Sequence, residues 1–383
     1  MKSPRNSITN MSDPQVYLDN ASTTFIDPQV VEAMKSIWDR RLGNANSIHQ
    51  LGVLAAAELE KARLTIARSI GAKADEVYFT SGGTESNNLA IIGFFGASTT
   101  KSEKFACSVI EHSSVLKTEW ALKKMGVETL KINVDSSGAI ELKSLEDILK
   151  HEPMMISVMH ANNEVGTVQN LKDISARCKA KNVLLHVDAC QSYTKVPLHV
   201  KDMGIDVLSI CAHKVHGPRG VGAIYIRDGV KVDPILFGGG QELGLRPGTQ
   251  NVEAVVGFSK AVQMAPMPGE GWKHVETLRN DCALECERLG FSVTAKGADR
   301  LPNHLHISRA GLDARRLMFE LSKRNIFVSL GSACNANQTQ PSHVLTAMGM
   351  SPEHIRGSLR ISLSKMTTKD EIDHFIEVLG RCL

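Results

Sequence analysis

The sequence predicts an α/β fold built on a mostly parallel sheet, and three observations carry that prediction. From Ser22 to Ala265, short apolar runs alternate with helical runs of about 10–15 residues, the pattern of repeated βα units. Several of the apolar runs are nearly continuous, as strands covered on both faces require. Polar, chemically competent residues follow five of these runs directly: Thr84, His112, Asn163, Asp188 and Lys214. In open parallel sheets, ligands sit beyond the carboxyl ends of the strands.

Pro28 opens a helical run over Gln29 to Arg40, and Val53 to Ile70 forms a second, closed by Gly71. The run EVYFT (76–80) is a strand leading into Ser81-Gly82-Gly83-Thr84, after which a helix has Asn87 to Phe94 as its body. Phe105 to Ile110 is a strand closed by Glu111-His112-Ser113-Ser114, and Val115 to Met125 is the next helix. Met154 to Met159 and Val183 to Val187 are strands flanking the helix Leu171 to Lys179, and Val207 to Cys211 and Gly222 to Arg227 are two more strands. Met264-Ala265-Pro266-Met267-Pro268-Gly269 breaks the alternation and marks a boundary. Beyond it lie a helix (Trp272 to Leu289), strands (Phe291 to Thr294, His304 to Ser308, Phe327 to Leu330, Arg356 to Leu363) and a helix (Ala314 to Arg324), an α+β domain. The expected organisation is therefore a polar tail (1–15), a large domain (16–265) whose first residues pack on the small one, and a small C-terminal domain (266–383).

The 383 residues carry 44 Lys plus Arg against 41 Asp plus Glu, a net charge of +3. So even a balance gives no expectation of direct nucleic-acid or membrane binding. Residues 1–15 have no apolar segment of the secretory kind, and the eight cysteines are scattered, which points to a reduced, cytoplasmic setting. Cys282 and Cys286 lie one helical turn apart with no second ligand pair following, so no metal is expected.

Lys214 follows a strand and precedes a Gly-Pro turn, where an amine can form a Schiff base with a carbonyl cofactor. Asp188 ends the run LLHVD, and a carboxylate there suits a pyridine nitrogen that must stay protonated. Ser81-Gly82-Gly83-Thr84 offers backbone N–H groups at a helix start for a phosphate. His112 can stack on a ring and move protons near neutral pH. Singly, each has a plainer reading: a solvated lysine, a helix N-cap, a capped turn, a structural histidine.

Together these residues resemble the fold-type I pyridoxal-phosphate enzymes, and specifically the NifS-like cysteine desulfurases. The resemblance runs from Val16 to about Ile376 and is carried by YLDNASTT (17–24), FTSGGTESNN (79–88), EHSSV (111–115), HANNEVGTVQ (160–169), HVDACQ (186–191), HKVHGPRGVGA (213–223), GGGQELGLRPGT (238–249), GSAC (331–334) and SLRISL (358–363). It implies a large domain on a mostly parallel seven-stranded sheet, a small α+β domain carrying the catalytic-cysteine loop, and pyridoxal 5′-phosphate as cofactor. It assigns Lys214 as the Schiff-base lysine, Asp188 as the pyridine partner and His112 as the stacking acid/base. Asn163 and Gln191 fall near the cofactor's 3′ oxygen. Gly83, Thr84 and His213 fall on its phosphate, with Thr249 supplied by the other subunit of a homodimer. Arg360, with Asn163, receives the substrate carboxylate, for which a guanidinium fork is suited. Cys334 is the nucleophile.

The activity implied is conversion of L-cysteine to L-alanine, with a persulfide on Cys334 passed to a sulfur-acceptor protein for iron–sulfur assembly or for tRNA or DNA thiolation. A selenocysteine lyase or cysteine/cystine C–S lyase of the same fold is the alternative enzyme, and a degenerate assembly subunit the non-enzymatic one; a lyase releasing sulfide would not need Cys334. The sequence departs from the family in places. Cys211 stands at the position of a serine phosphate ligand, Asn44-Ala45-Asn46-Ser47 replaces a Gly-Asn-Pro-Ser run, and the common second serine after Cys334 is missing. Housekeeping members carry a longer scaffold-docking tail than a chain ending at Leu383, which turns the expectation toward a dedicated thiolation pathway.

Overall fold

The computed structural model describes residues 15–99, 103–331 and 341–383. Its strands are β1 (Val16–Tyr17), β2 (Val77–Thr80), β3 (Lys104–Ser108), β4 (Glu128–Ile132), β5 (Met155–Met159), β6 (Leu184–Asp188), β7 (Val207–Cys211), β8 (Gly222–Ile226), β9 (Ser292–Val293), β10 (His304–Ser308), β11 (Ile326–Phe327) and β12 (Ser358–Ser362). Seven of them form the central sheet in the order β2-β8-β7-β6-β5-β3-β4. Only β8 runs against the others, antiparallel to β2 and β7; the remaining neighbours pair parallel. Six carboxyl ends therefore face one edge. Every residue of β5, β7 and β8 is buried, as the apolar runs require when helices cover both faces.

The differences from the sequence reading have local causes. β4 (ETLKI) is an edge strand with only Ile132 buried, so its pattern is too polar to stand out. The helix Leu142–Leu149, which follows it, was likewise not anticipated. The run from Val115 splits into Ser113–Leu116 and Glu119–Lys124, and His112, just ahead of the first, is its N-cap. The helix after Gly82 is continuous from Gly83 to Gly96 but widens into a π-turn at Leu89–Gly93, where Gly93 O accepts from Asp233 N at 2.9 Å. Arg356 ends the short helix Pro352–Arg356 instead of opening a strand.

Residues after the boundary build a second core around the antiparallel sheet β12-β10-β9 and the helices Lys273–Arg288, Ala314–Ser322 and Lys369–Cys382. Val16 and Leu18 belong to this core, and β1 pairs parallel with β11. The described chain thus runs from the small unit at β1 to the large one through Asp19–Thr24. Among the described residues, no helix is long and apolar enough to cross a membrane.

Candidate functional site

Asp188, the last residue of β6, is buried, and both oxygens are occupied. Oδ1 accepts from Cys190 N at 2.9 Å, and Oδ2 accepts from Asn87 Nδ2 at 2.7 Å. It is therefore a local cap and a fixed acceptor at once. His186 lies two residues earlier on the same strand, with Nδ1 2.8 Å from Ser157 Oγ and Nε2 3.0 Å from Ser209 Oγ. Serines on both neighbouring strands thus brace β6 behind the carboxylate.

The turn after β7 carries Lys214. Its amine donates to Ala21 O and, at 2.7 Å, to Ser22 O. Gln191 Nε2 donates to the same Ala21 carbonyl at 2.9 Å, so lysine and glutamine converge on one point. Burial lowers the Lys214 pKa below the ordinary lysine range, and the Arg360 charge adds to the effect, so the neutral, nucleophilic amine is reached at lower pH. The Lys214 carbonyl accepts from Lys195 Nζ at 3.2 Å, and that amine also donates to Gln191 O at 2.8 Å. Burial brings Lys195 down to about 8. The sequence reading missed Lys195; nothing in its surroundings marks it as different from a surface lysine.

The Asp19–Thr24 segment lies over this turn. Thr24 N and Oγ1 donate to His213 O at 2.9 and 3.0 Å, and Thr23 Oγ1 lies 3.3 Å from His213 Nδ1. On its other side it meets β12. Arg360 is buried there, with Nη2 2.7 Å from Asp19 Oδ1 and 2.6 Å from Ser22 Oγ, and Nη1 2.8 Å from Asn163 O. Asn163 therefore reaches Arg360 through its carbonyl. Ser329 pairs with Arg360 through the backbone (3.1 and 2.7 Å), and Ser342 Oγ donates to the buried Glu164 at 2.6 Å. Both flanks of residues 332–340 are thus tied to the site, while Cys334 itself lies outside the described residues.

The glycine turn after β2 offers backbone N–H groups suited to an anion. Gly82 has φ 150°, open to glycine alone, and Gly83 and Thr84 begin the helix with N–H groups that no preceding turn occupies. A Cβ on Gly83 would sit 2.4 Å from Cys190 Sγ, so this backbone must be glycine to approach the thiol. Cys190 and Cys211 both lie against Gly83, and their thiols interact with each other. The Cys190 thiol, then His213 and the Lys214 charge, pull the Cys211 thiol well below its ordinary range against the opposing effect of burial. Cys211 thus lies beside Gly83, with a thiol partner that sequence reasoning did not pair with it.

His112 accepts a hydrogen bond on Nδ1 from Ser114 N at 3.1 Å, with Ser114 Oγ 2.8 Å from the same atom. Ser114 Oγ in turn accepts from Asn87 Nδ2 at 2.8 Å. One group of predicted residues (Lys214, Gln191, His213, Asn163, Arg360) is therefore gathered by the Asp19–Thr24 segment. The other (Asp188, His112, Gly83, Thr84, Cys211) is gathered around Asn87 and Cys190, and Cys211 and His213 join the two. Thr249 is not brought into either group within one chain; it is exposed. Among the described residues, no cluster of three or more His, Cys, Asp or Glu side chains is arranged to hold a metal.

Pyridoxal phosphate needs an amine for its aldehyde, an acid for its ring nitrogen and donors for its phosphate. The donor set fits: a buried amine of lowered pKa, a carboxylate fixed at a strand end, and N–H groups at a glycine turn beside an imidazole. Fold and donor set together define a pyridoxal-phosphate-binding α/β enzyme. Residues 16–375 match the class-V aminotransferase family, and the chain belongs to it; this family is pyridoxal-phosphate-dependent. A cysteine desulfurase IscS of Dictyoglomus turgidum is 40% identical over 374 residues, 96% of this chain and 94% of that protein. A solved NifS-like protein superposes with a TM-score of 0.91 at 37% identity, covering 96% of this chain and 99% of the other. A structure described as SspA in complex with cysteine superposes with a TM-score of 0.81 at 34% identity, covering 93% and 100%.

Proposed function

We propose that the chain is a pyridoxal-phosphate-dependent cysteine desulfurase, a transferase that takes L-cysteine and the Cys334 thiol to L-alanine and a Cys334 persulfide. The observation that carries this reading is the meeting of Lys214 and Arg360 on one short segment: Ser22 O takes the amine, and Ser22 Oγ takes the guanidinium. An amine and a carboxylate-binding guanidinium on one short segment are what an α-amino acid substrate requires. The cysteine-bound SspA structure and the desulfurase names of the relatives support the choice of substrate.

Lys214 would carry the cofactor, Asp188 its ring nitrogen and His112 its ring face, with Gln191 and Asn163 near the 3′ oxygen. Gly83, Thr84, His213, Cys211 and the partner subunit's Thr249 would hold the phosphate. When bound, the group supplies an electron-withdrawing ring that stabilises negative charge at the substrate Cα. Lys214 Nζ then takes the Cα proton and returns one to the product carbon. Arg360, desolvated and held on several sides, keeps the carboxylate from rotating. Cys334 attacks as a thiolate: a new S–S bond forms to the substrate sulfur as its C–S bond breaks, and the electron pair stays with the carbon that becomes the alanine methyl.

A homodimer fits the exposed apolar side chains Ile48 (99%), Phe237 (89%) and Leu243 (82%), the last six residues before the exposed Thr249. The persulfide would pass to an acceptor protein for iron–sulfur assembly or nucleic-acid thiolation in the cytoplasm. Incubation with L-cysteine followed by peptide mass spectrometry tests the reading. One added sulfur on the peptide holding Cys334, lost in Cys334→Ala with the cofactor retained, is expected. A cofactor-loaded protein that forms pyruvate, ammonia and free sulfide without that adduct would instead be a C–S lyase.

A further inference from the structure

We propose that Asn87 and Ser114 are positioning residues that join Asp188 to His112 in one hydrogen-bonded relay of fixed polarity, so that the carboxylate dictates which imidazole nitrogen of His112 carries the proton. The proposal rests on the reading of Asp188 and His112 as the cofactor's two ring contacts and adds to it how they are coupled.

The polarity follows step by step from the contacts. Asn87 Nδ2 lies 2.7 Å from Asp188 Oδ2 and 2.8 Å from Ser114 Oγ, so both amide hydrogens are committed. The amide cannot turn over without placing its own carbonyl oxygen against the carboxylate. Its Oδ1 is buried with no partner among the described residues, so the two acceptors on the Nδ2 side alone set its orientation. Ser114 Oγ, accepting from Asn87, must then donate its single proton elsewhere, and His112 Nδ1 lies 2.8 Å away. Ser114 N–H, whose direction the backbone fixes, points at the same nitrogen from 3.1 Å. Nδ1 is therefore an acceptor from two sides, and the neutral imidazole carries its proton on Nε2.

Asn87 and Ser114 are both buried, so water does not compete for these bonds, and the chain passes from β6 to the His112 turn without a break. Asn87 sits at the end of the first helical stretch after the glycine turn. The element that offers N–H groups to a phosphate therefore also sets the ring residue.

The test is nuclear magnetic resonance of the full-length chain labelled with 15N-histidine, both without cofactor and loaded with pyridoxal phosphate. His112→Gln identifies the His112 signals. Expected are an Nε2–H tautomer in the unmutated protein, a displaced Nδ1 resonance in Ser114→Ala, and a displaced one in Asn87→Leu, although position 87 does not touch the imidazole. Ser114→Thr, which keeps the hydroxyl, retains the original resonance. In the loaded enzyme, Ser114→Ala lowers kcat for alanine formation about tenfold with KM within about twofold, and Ser114→Thr restores it. A proton on Nδ1 in the unmutated protein, or an Nδ1 resonance unmoved in Ser114→Ala, overturns the relay; should Asn87→Leu not fold, the Ser114 pair decides. The expected resonances in a loaded protein that forms no alanine would uphold the relay and overturn the desulfurase reading.

Discussion

Arg360 and Asp19 stand 341 residues apart in the chain and meet at 2.7 Å, the arginine on β12 and the carboxylate where the chain crosses between the two cores. The guanidinium side chain is 2% exposed, so this carboxylate is its counter-ion in a region that water scarcely reaches. Arg360→Lys replaces a planar fork that serves Asp19, Ser22 and Asn163 with a single ammonium. Loss of charge-assisted hydrogen bonds, worth about 1.5–3 kcal/mol, raises KM for L-cysteine by about 10–100-fold while cofactor absorbance is retained. Asp19→Ala leaves the buried charge unpaired and lowers stability by about 1–3 kcal/mol, read by urea unfolding.

Asp188→Asn separates the structural and chemical duties of that carboxylate. It accepts from Cys190 N and Asn87 Nδ2. An asparagine there must turn its NH2 toward one of these two donors, which costs about 1–3 kcal/mol, and removes the acid that the pyridine nitrogen needs, so kcat falls by about 10² or more. Adding Asn87→Asp gives the new NH2 an acceptor. The double variant regains stability in urea unfolding, while alanine formation stays low.

Where the strands deliver their residues was legible from sequence, because parallel strands expose chemistry only at their carboxyl ends. Asp188 and the Lys214 turn announce themselves as polar residues after buried runs. Asp19, Ser22 and Asn87 were visible only as members of motifs. What gives them their roles is contact across long chain distances, as in Asn87 to Asp188 and Asp19 to Arg360, and no local pattern records such contacts. The edge strand β4 was missed because one buried residue in five leaves no alternation to read. Cys190 was passed over as one more small thiol, since its closeness to Gly83 depends on how β6 and the glycine turn pack.

Leu243 is 82% exposed and holds φ 55° beside Glu242 at φ 48°, two non-glycine residues in the left-handed region. Glu242 is pinned by Arg63 at 2.7 and 3.0 Å and by Phe79 N at 2.8 Å, so the strained turn is held from beneath while Leu243 points outward. Leu243→Asp leaves the fold intact and charges the surface assigned to the partner subunit. If the proposed homodimer uses this face, sedimentation shows a shift from dimer to monomer, and the monomer loses cofactor because the Thr249 contribution proposed above is gone.

Opposed titrations set the pH range of greatest stability. Burial pushes His186 down to about 4 from 6.5, with Asp188 opposing, and His160 and His216 also lie at about 4. Their folded pKa values are depressed, so the unfolded chain takes up protons first as pH falls. Stability is complete above about 6.5 and is lost between there and about 4, by about 3 kcal/mol at most for His186. Glu111 runs the other way: burial raises it from 4.5 to about 8 against hydrogen bonds from Ser108 and Met159. Its contribution is complete below 4.5 and is lost as pH rises through 8. The three histidines outweigh one glutamate on the acid side, and above about 6.5 the glutamate dominates until Lys195, lowered to about 8, opposes it. Urea unfolding from about pH 4.5 to 8.5 should therefore give a stability maximum near pH 6.5. His186→Gln makes the acid limb shallower, whereas Glu111→Gln, which still accepts from Met159 N, flattens the alkaline limb. An unchanged alkaline limb in Glu111→Gln would show that this carboxyl is already ionised in the folded protein.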